Sequence, residues 1–168
     1  MKNFIRYSSS FIAPVVVSFI LPFLILVFEH YLYIHNIVTI SIALLYFGII
    51  FLVIGLIIFI LAVRLFILIG NGTIMPWDPT KKLIVVSLYR YVRNPMILSL
   101  IIIQSGEALL FASYGIAILL VLNYVINTIY FINSEEPGLE KKFGQEYIEY
   151  KKNVPRWIPR LKPWTPSK

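Results

Sequence analysis

The sequence has no cysteine and little charge. Its 168 residues include 15 Lys and Arg and 8 Asp and Glu, together 14% of the chain. The lack of cysteine excludes disulfides, thiol nucleophiles and thiolate metal sites. A soluble domain usually carries about 25% charged residues, so the low charge argues against that class. No P-loop and no G-x-G-x-x-G motif after a strand is found, which excludes the usual soluble nucleotide-binding folds.

What the chain has instead is long apolar runs. Residues 11–28 and 37–63 hold no charge, and residues 94–134 hold only Glu107. About 20 apolar residues in a helix cross a bilayer core of roughly 30 Å. As one helix, residues 94–134 would be about 61 Å long, so we expect a turn at residues 113–115. The pattern predicts an all-α, polytopic membrane helix bundle with four transmembrane helices, or five if a broken or re-entrant segment is counted. The predicted spans are residues 11–28, 39–63, 95–112 and 116–134.

The basic residues predict the orientation of this bundle. Two precede the first span, five lie between the second and third, and eight follow the fourth, which accounts for all 15. By the positive-inside rule, this side and both termini are cytoplasmic. The net charge of +7 is then a membrane-surface feature. The basic residues form no stripe with stacking aromatics, so no nucleic-acid partner is expected. His30 and His35 lack a nearby acidic cluster, so no metal site is expected either.

We treat residues 1–168 as a single membrane domain with a cytoplasmic linker, residues 70–92, and a cytoplasmic tail, residues 135–168. The tail repeats apolar residues at spacings of four, four and three, at Leu139, Phe143, Tyr147 and Tyr150. This spacing predicts one amphipathic helix that lies against the membrane or the bundle. Residues 154–159, with two prolines, then end it.

Two polar clusters flank the apolar block 94–134. Arg90 and Arg93 precede it, Asn94 and Pro95 begin it, and the Glu135-Glu136 pair follows it. In a hairpin, both clusters emerge on the same side and face each other. Asn94 suits a helix N-cap and Pro95 the first helical position. The arginines are either interfacial anchors or part of an anion site at that helix start.

The Glu135-Glu136 pair also allows two interpretations. Just past a helix end, carboxylates oppose the helix dipole, which favours cations there. The pair is either solvated at the start of the tail helix, or it binds ribose hydroxyls, balances a cationic ligand or acts as a base.

Four polar side chains lie within the third and fourth predicted spans. By depth, Gln104 matches Asn127 at roughly 12 Å, and Glu107 matches Asn123 at roughly 17 Å from the cytoplasmic ends. Matched depth on antiparallel neighbours predicts hydrogen bonds between the two helices. Such residues serve either as interhelical glue or as functional groups in the membrane.

Taken together, four segments of the chain resemble one family. Residues 89–96, 106–111, 135–147 and 154–159 are similar to the isoprenylcysteine carboxyl methyltransferase and phospholipid methyltransferase family. The likeness covers residues 75–162, about half of the chain. Asn94 stands where the family usually has histidine, and Ile97 where tyrosine is common. An asparagine cannot act as a cation or a base, so a cofactor contact is altered there.

The resemblance implies an integral membrane methyltransferase that binds S-adenosyl-L-methionine on the cytoplasmic face and needs no metal. Its acceptor would be lipidic or amphipathic, with a carboxylate or an amine as nucleophile. The implied catalytic residues are Glu135, Glu136 and Arg93. The implied cofactor-binding residues are Tyr89, Arg93, Asn94, Pro95, Met96, Glu135, Glu136, Phe143 and Tyr147. The tail helix would close over this site as a lid.

Two other functions are compatible with the same sequence. One is an NADPH-dependent membrane reductase of the lipid or sterol type, which would need further cationic groups for the extra phosphate. The other is a non-enzymatic helical membrane protein, either a degenerate homologue or a small-molecule carrier. Thermal stabilisation by S-adenosylmethionine would indicate the methyltransferase, and thermal stabilisation by NADPH would indicate the reductase.

Overall fold

A computed structural model describes residues 12–32, 41–70 and 82–166, and no strand occurs in these ranges. The helices are α1 (Ile12–Val15), α2 (Leu21–Tyr31), α3 (Ile42–Gly70), α4 (Pro95–Leu110), α5 (Tyr114–Tyr130), α6 (Glu136–Phe143) and α7 (Gln145–Asn153). The predicted all-α class is confirmed for this part of the chain. About half of the predicted linker, residues 71–81 of 70–92, lies outside the described residues.

Within the described ranges, two helical runs are long and apolar enough to cross a membrane. They are Ile42–Ile69, with 28 residues, and Tyr114–Phe143, with 30. Val16–Tyr31 and Pro95–Leu110 are apolar too, but both are shorter than 18 residues. Two of the four predicted spans therefore reach full length, and the four-span topology stays a prediction. The apolar part of Tyr114–Phe143 ends before Glu135, so the two carboxylates lie beyond it.

The helix of the last span does not end at the carboxylates, so that prediction is wrong. The π-helical turn Phe131–Glu135 joins α5 to α6, and the Glu136 N–H bonds the carbonyl five residues earlier. Pro137 follows within the first turn of α6. A proline has no N–H and its ring clashes with the carbonyl four residues before it. The wider turn removes this conflict, and the same arrangement, Val16–Ile20, precedes Pro22.

The predicted tail helix is two helices. Gly144 separates α6 from α7 with φ 57°, a backbone conformation that favours glycine. The predicted apolar face nevertheless forms one cluster, because the break turns α7 back towards α6. Tyr147 and Tyr150 are buried there with Val154. The half-buried side chains around them are Leu83, Val85, Leu139, Phe143 and Trp164.

The chain divides into two packing units, and the first comprises residues 1–58 and 99–125. Within it, α3 and α4 approach closely at glycines. A Cβ on Gly106 would lie 2.8 Å from the Gly48 carbonyl oxygen. A Cβ on Gly55 would lie 2.9 Å from the Ile103 backbone nitrogen. Small residues allow helices to pack this closely in a membrane.

Polar groups also connect helices in this first unit. Asn123 Nδ2 donates to Gln104 Oε1 at 2.9 Å, and Gln104 Nε2 donates to the Val17 carbonyl at 3.1 Å. The predicted interhelical hydrogen bond is there, but it joins Gln104 to Asn123, about one turn from the predicted Asn127. Near the other end of α5, the buried Glu29 accepts the Gly115 N–H at 2.7 Å. In the described part of the chain, these contacts match the role of interhelical glue.

The second unit comprises residues 59–98 and 126–168. It holds every residue that the sequence assigned to a site. The short 3₁₀ turn Ser87–Arg90 leads into the segment before α4, and α6 and α7 pack in the same unit.

Candidate functional site

Arg93 lies directly before α4 and is fixed from three directions. Its backbone N–H donates to the Pro155 carbonyl at 2.9 Å. Its Nε donates to the Val154 carbonyl at 2.8 Å, and its Nη1 donates to Glu136 Oε1 at 2.8 Å. A guanidinium presents several donors in a fixed fork, which suits simultaneous contacts of this kind. Arg93 is therefore a positioned cation of the site's framework.

The Glu136 carboxylate is the centre of the cluster and is only 3% exposed. Besides Arg93, it accepts from Arg156 Nε at 2.6 Å and from Lys151 Nζ at 3.0 Å. Lys151 also pairs with Glu140 at 2.7 Å. Burial alone would raise the pKa of Glu136, but hydrogen bonds from Arg156 and Lys151 and the charge of Arg93 leave that pKa lowered. Glu136 is therefore ionised at neutral pH, and its lowered pKa makes it a weak base.

Glu135 differs from Glu136 in its partners and in its pKa. Its half-buried carboxylate forms no ion pair or hydrogen bond with the residues that the structure describes. Burial and the nearby charge of Glu136 raise the pKa of Glu135 to about 7. This carboxyl group therefore changes its protonation near neutral pH. A carboxyl with such a pKa can accept a proton or balance an incoming cation.

Three tyrosines join α7 to the segment before α4. The Tyr150 hydroxyl donates to the Tyr89 carbonyl at 2.7 Å, and Arg93 Nη1 donates to the Tyr147 hydroxyl at 3.5 Å. Burial, followed by the charge of Glu135, raises the pKa of the Tyr89 phenol. The Tyr89 phenol therefore stays neutral at physiological pH. Phe143 packs on the same cluster.

Residues 154–165, which we call the C-terminal strap, run back along the segment before α4. Trp164 N–H donates to the Arg90 carbonyl at 2.9 Å, and Arg160 N–H donates to the Tyr91 carbonyl at 2.9 Å. The Arg90 side chain binds the strap in turn: its Nε donates to the Trp164 carbonyl at 2.6 Å, and its Nη2 donates to Thr165 Oγ1. The strap thereby fixes the backbone from which Arg93 extends.

The strap also contacts the π-helical turn. The Trp157 ring packs edge-on against Phe131, with centroids 5.7 Å apart, and Trp157 Nε1 donates to Thr128 Oγ1 at 3.1 Å. Next to it, Arg156 binds Glu136. Two adjacent strap residues thus hold one apolar and one charged side chain of the same helical run.

The sequence prediction brought the right segments together. Arg93, Glu136 and Tyr147 are in contact, and Tyr89 and Glu135 interact electrostatically beside them. For Arg90 the sequence allowed two roles, an interfacial anchor or part of an anion site. In the structure, its side chain also binds the strap.

Three other predicted residues open α4 directly after Arg93. The Asn94 carbonyl accepts the Leu98 N–H, as an N-cap carbonyl does. Pro95 begins α4 as predicted and is fully buried. Met96 follows, half-buried, in the first turn. A cofactor contact by any of the three stays a prediction.

Sequence reasoning missed Lys151 and Arg156 as members of the site. Arg156 lies in one of the four segments on which the resemblance rests, which was a usable signal. Lys151 gave none, because a lysine in a basic tail looks like any solvated charge. Its pairing with Glu136 depends on the break at Gly144.

Among the residues that the structure describes, no group of three or more His, Cys, Asp or Glu could hold a metal ion. A family model described as phospholipid methyltransferase matches residues 17–146, well over half of the chain. The match includes Arg93, Glu135 and Glu136 and stops before Lys151 and the strap. No curated protein and no solved structure matches the chain.

Proposed function

Because the chain belongs to the phospholipid methyltransferase family, we propose that it transfers a methyl group from S-adenosylmethionine to a lipidic or amphipathic acceptor in the membrane. The family and the two long apolar helices indicate association with a membrane. The observation that carries the proposal is Glu135, a half-buried carboxyl without an ion-pair partner in the described residues, beside a cluster rich in cations.

We propose the four-span topology for this enzyme, with both termini and the site on the cytoplasmic side. The distribution of all 15 basic residues supports this orientation. The short length of α4 is compatible with a span, because the polar segment before it begins at the membrane surface and α5 returns after a three-residue connection. The proposed site then lies where α4 begins and the last apolar run ends.

The residues present fit the cofactor that the family implies. S-adenosylmethionine carries an amine and a sulfonium, both cationic, together with a carboxylate and a ribose diol. Glu135 supplies a carboxylate for the cationic groups or the diol. Lys151 and Arg156 are partly exposed, at 38% and 20%, and can supply cations for the cofactor carboxylate. When bound, the cofactor provides an electrophilic methyl group, and no metal is required.

We propose that the acceptor is an amine of a lipid headgroup and that Glu135 takes up its proton. The pKa of Glu135, about 7, suits a base at neutral pH. Glu136 is the positioning residue, because its carboxylate binds Arg93, Lys151 and the strap residue Arg156 and so holds them in place. Alignment of the two substrates and exclusion of water supply the remainder of the catalysis.

A binding titration tests this proposal directly. The affinity of the purified protein for S-adenosylmethionine should rise up to ten-fold per pH unit as pH approaches 7 and then level off, because a cationic ligand prefers ionised Glu135. Glu135→Gln should weaken binding and remove this pH dependence. Glu146→Gln, which removes an exposed carboxylate on α7, should change neither.

Three outcomes would contradict the proposal. The first is the absence of cofactor binding by the wild-type protein at millimolar concentration. The second is thermal stabilisation by NADPH and not by S-adenosylmethionine, which would indicate the reductase. The third is a wild-type pH dependence that Glu135→Gln leaves intact, which would remove Glu135 from the site. A methyl-transfer assay on a lipid extract, read by mass spectrometry, then identifies the acceptor.

A further inference from the structure

The end of the chain has an unusual charge pattern. After Glu149, the sequence contains six Lys and Arg and no acidic residue. Among those that the structure describes, Lys151 and Arg156 bind Glu136, and Arg160 Nη1 donates to the Asn153 carbonyl at 2.7 Å. Lys162 is exposed. The strap therefore carries three positive charges and no negative charge.

The same part of the strap exposes two large apolar side chains. Leu161 is 99% exposed and Ile158 is 81% exposed. Their backbone is nevertheless fixed, because Arg160 N–H between them bonds Tyr91 and because Pro159 restricts the chain. An ordered loop that presents apolar side chains outward has a surface suited to an apolar or interfacial environment.

We propose that the loop Ile158–Lys162 docks on the anionic lipid surface of the membrane that holds the helices. Ile158 and Leu161 would enter the interfacial region, while Lys162 faces lipid phosphates. Apolar residues combined with adjacent cations are the composition that binds anionic lipid surfaces. No acidic residue follows Glu149, so no negative charge in this part of the chain would repel anionic lipid.

The proposal goes beyond methyl transfer and does not require it. Because the strap bonds the backbone around Arg90 and Tyr91 and its Arg156 binds Glu136, lipid docking would hold the framework of the site together. The stability of that framework would then depend on the lipid composition of the membrane surface.

The lack of cysteine makes a direct test possible with single labels. A solvent-sensitive fluorophore is attached to Leu161→Cys, or to Lys152→Cys on the exposed side of α7 as a control, and the full chain is placed in nanodiscs. In nanodiscs that contain anionic lipid, acrylamide should quench the Leu161 probe several-fold less than the Lys152 probe. The difference should shrink in zwitterionic nanodiscs and at about 1 M salt, where the Debye length is about 3 Å.

A charge variant assigns the effect to the loop. Lys162→Gln should weaken the preference of the Leu161 probe for anionic nanodiscs about five-fold, as expected for one basic residue near the surface. Lys152→Gln, with the same loss of charge, should leave it nearly unchanged. The proposal is overturned if the Leu161 probe is quenched like the Lys152 probe in anionic nanodiscs. Protection that is equal in zwitterionic nanodiscs, or unchanged by Lys162→Gln, also overturns it.

Discussion

The ion-pair cluster around Glu136 gives the sharpest test of how the site is held together. Glu136→Gln keeps the shape of the side chain but removes the negative charge that Arg93, Arg156 and Lys151 share. Breaking a fully buried ion pair by removing one partner costs about 3–5 kcal/mol. Water reaches Arg156 and especially Lys151, which lowers the cost, so we expect a loss of about 2–3 kcal/mol in the free energy of unfolding.

Glu140→Gln is the matched control for this variant. Glu140 also pairs with Lys151, but both side chains are more than a third exposed. An exposed pair of this kind contributes less than about 1 kcal/mol. The assay is thermal unfolding in mild detergent, followed by the fluorescence of Trp157 and Trp164, which pack against Phe131 and Tyr150. Glu136→Gln should lower the midpoint by roughly 5–10 °C, several times more than Glu140→Gln.

A double variant separates repulsion among the cations from a mere change of side chain. Adding Arg156→Gln to Glu136→Gln removes one of the cations that have lost their counter-charge, so part of the lost stability should return. Equal midpoints for Glu136→Gln and Glu140→Gln would refute the reasoning. So would a double variant whose loss is the sum of the two single losses.

Three further variants or conditions test other parts of the structure. Arg93→Lys keeps the charge but loses the fork that binds Val154 and Glu136 together, and it should cost about 1–2 kcal/mol by the same unfolding assay. Gly106→Ala should destabilise by about 1–3 kcal/mol because its Cβ meets backbone of α3, whereas Gly138→Ala, with open space around it, should be neutral or stabilising by about 0.5–1 kcal/mol. Folding lowers the pKa of Glu136, so its ionised carboxylate stabilises the folded state above about pH 4.3. This stabilisation is lost as pH falls through the lower pKa of the folded state. A melting series from pH 7 to pH 3 should show the loss in the wild type and not in Glu136→Gln.

The sequence was informative wherever one physical effect dominated. Long apolar runs predicted the helices α3 and α5, because burial in a bilayer leaves few other structures. The hairpin of the last two predicted spans brings Arg93 to the Glu135-Glu136 pair as predicted, although the sequence does not indicate which carboxylate it binds. Pro95 marked the start of α4 for a local reason, since a proline fits the first helical position.

Other features depend on contacts that are distant in sequence. Pro137 and Gly138 resemble a helix end, and only the π-helical turn lets the helix continue through them. Lys151 and Arg156 reach Glu136 because Gly144 reverses the chain and the strap returns along Arg90. The different states of Glu135 and Glu136 follow from these partners. No local pattern distinguishes two adjacent glutamates.

The π-helical turn has a consequence for the register of the two carboxylates. In a regular helix, the residue that stacks over Phe131 lies four positions later and would be Glu135; the wide turn puts Glu136 there, next to Arg156 and Trp157. One extra residue thus decides which glutamate is clamped and which stays available. Deleting a single residue from 132–134 would place Glu136 four positions after Phe131, so that a regular α-helical turn would keep Glu136 as the hub. In this helix, the number of residues between Phe131 and the carboxylates, and not only their identity, determines which carboxylate forms the ion pairs.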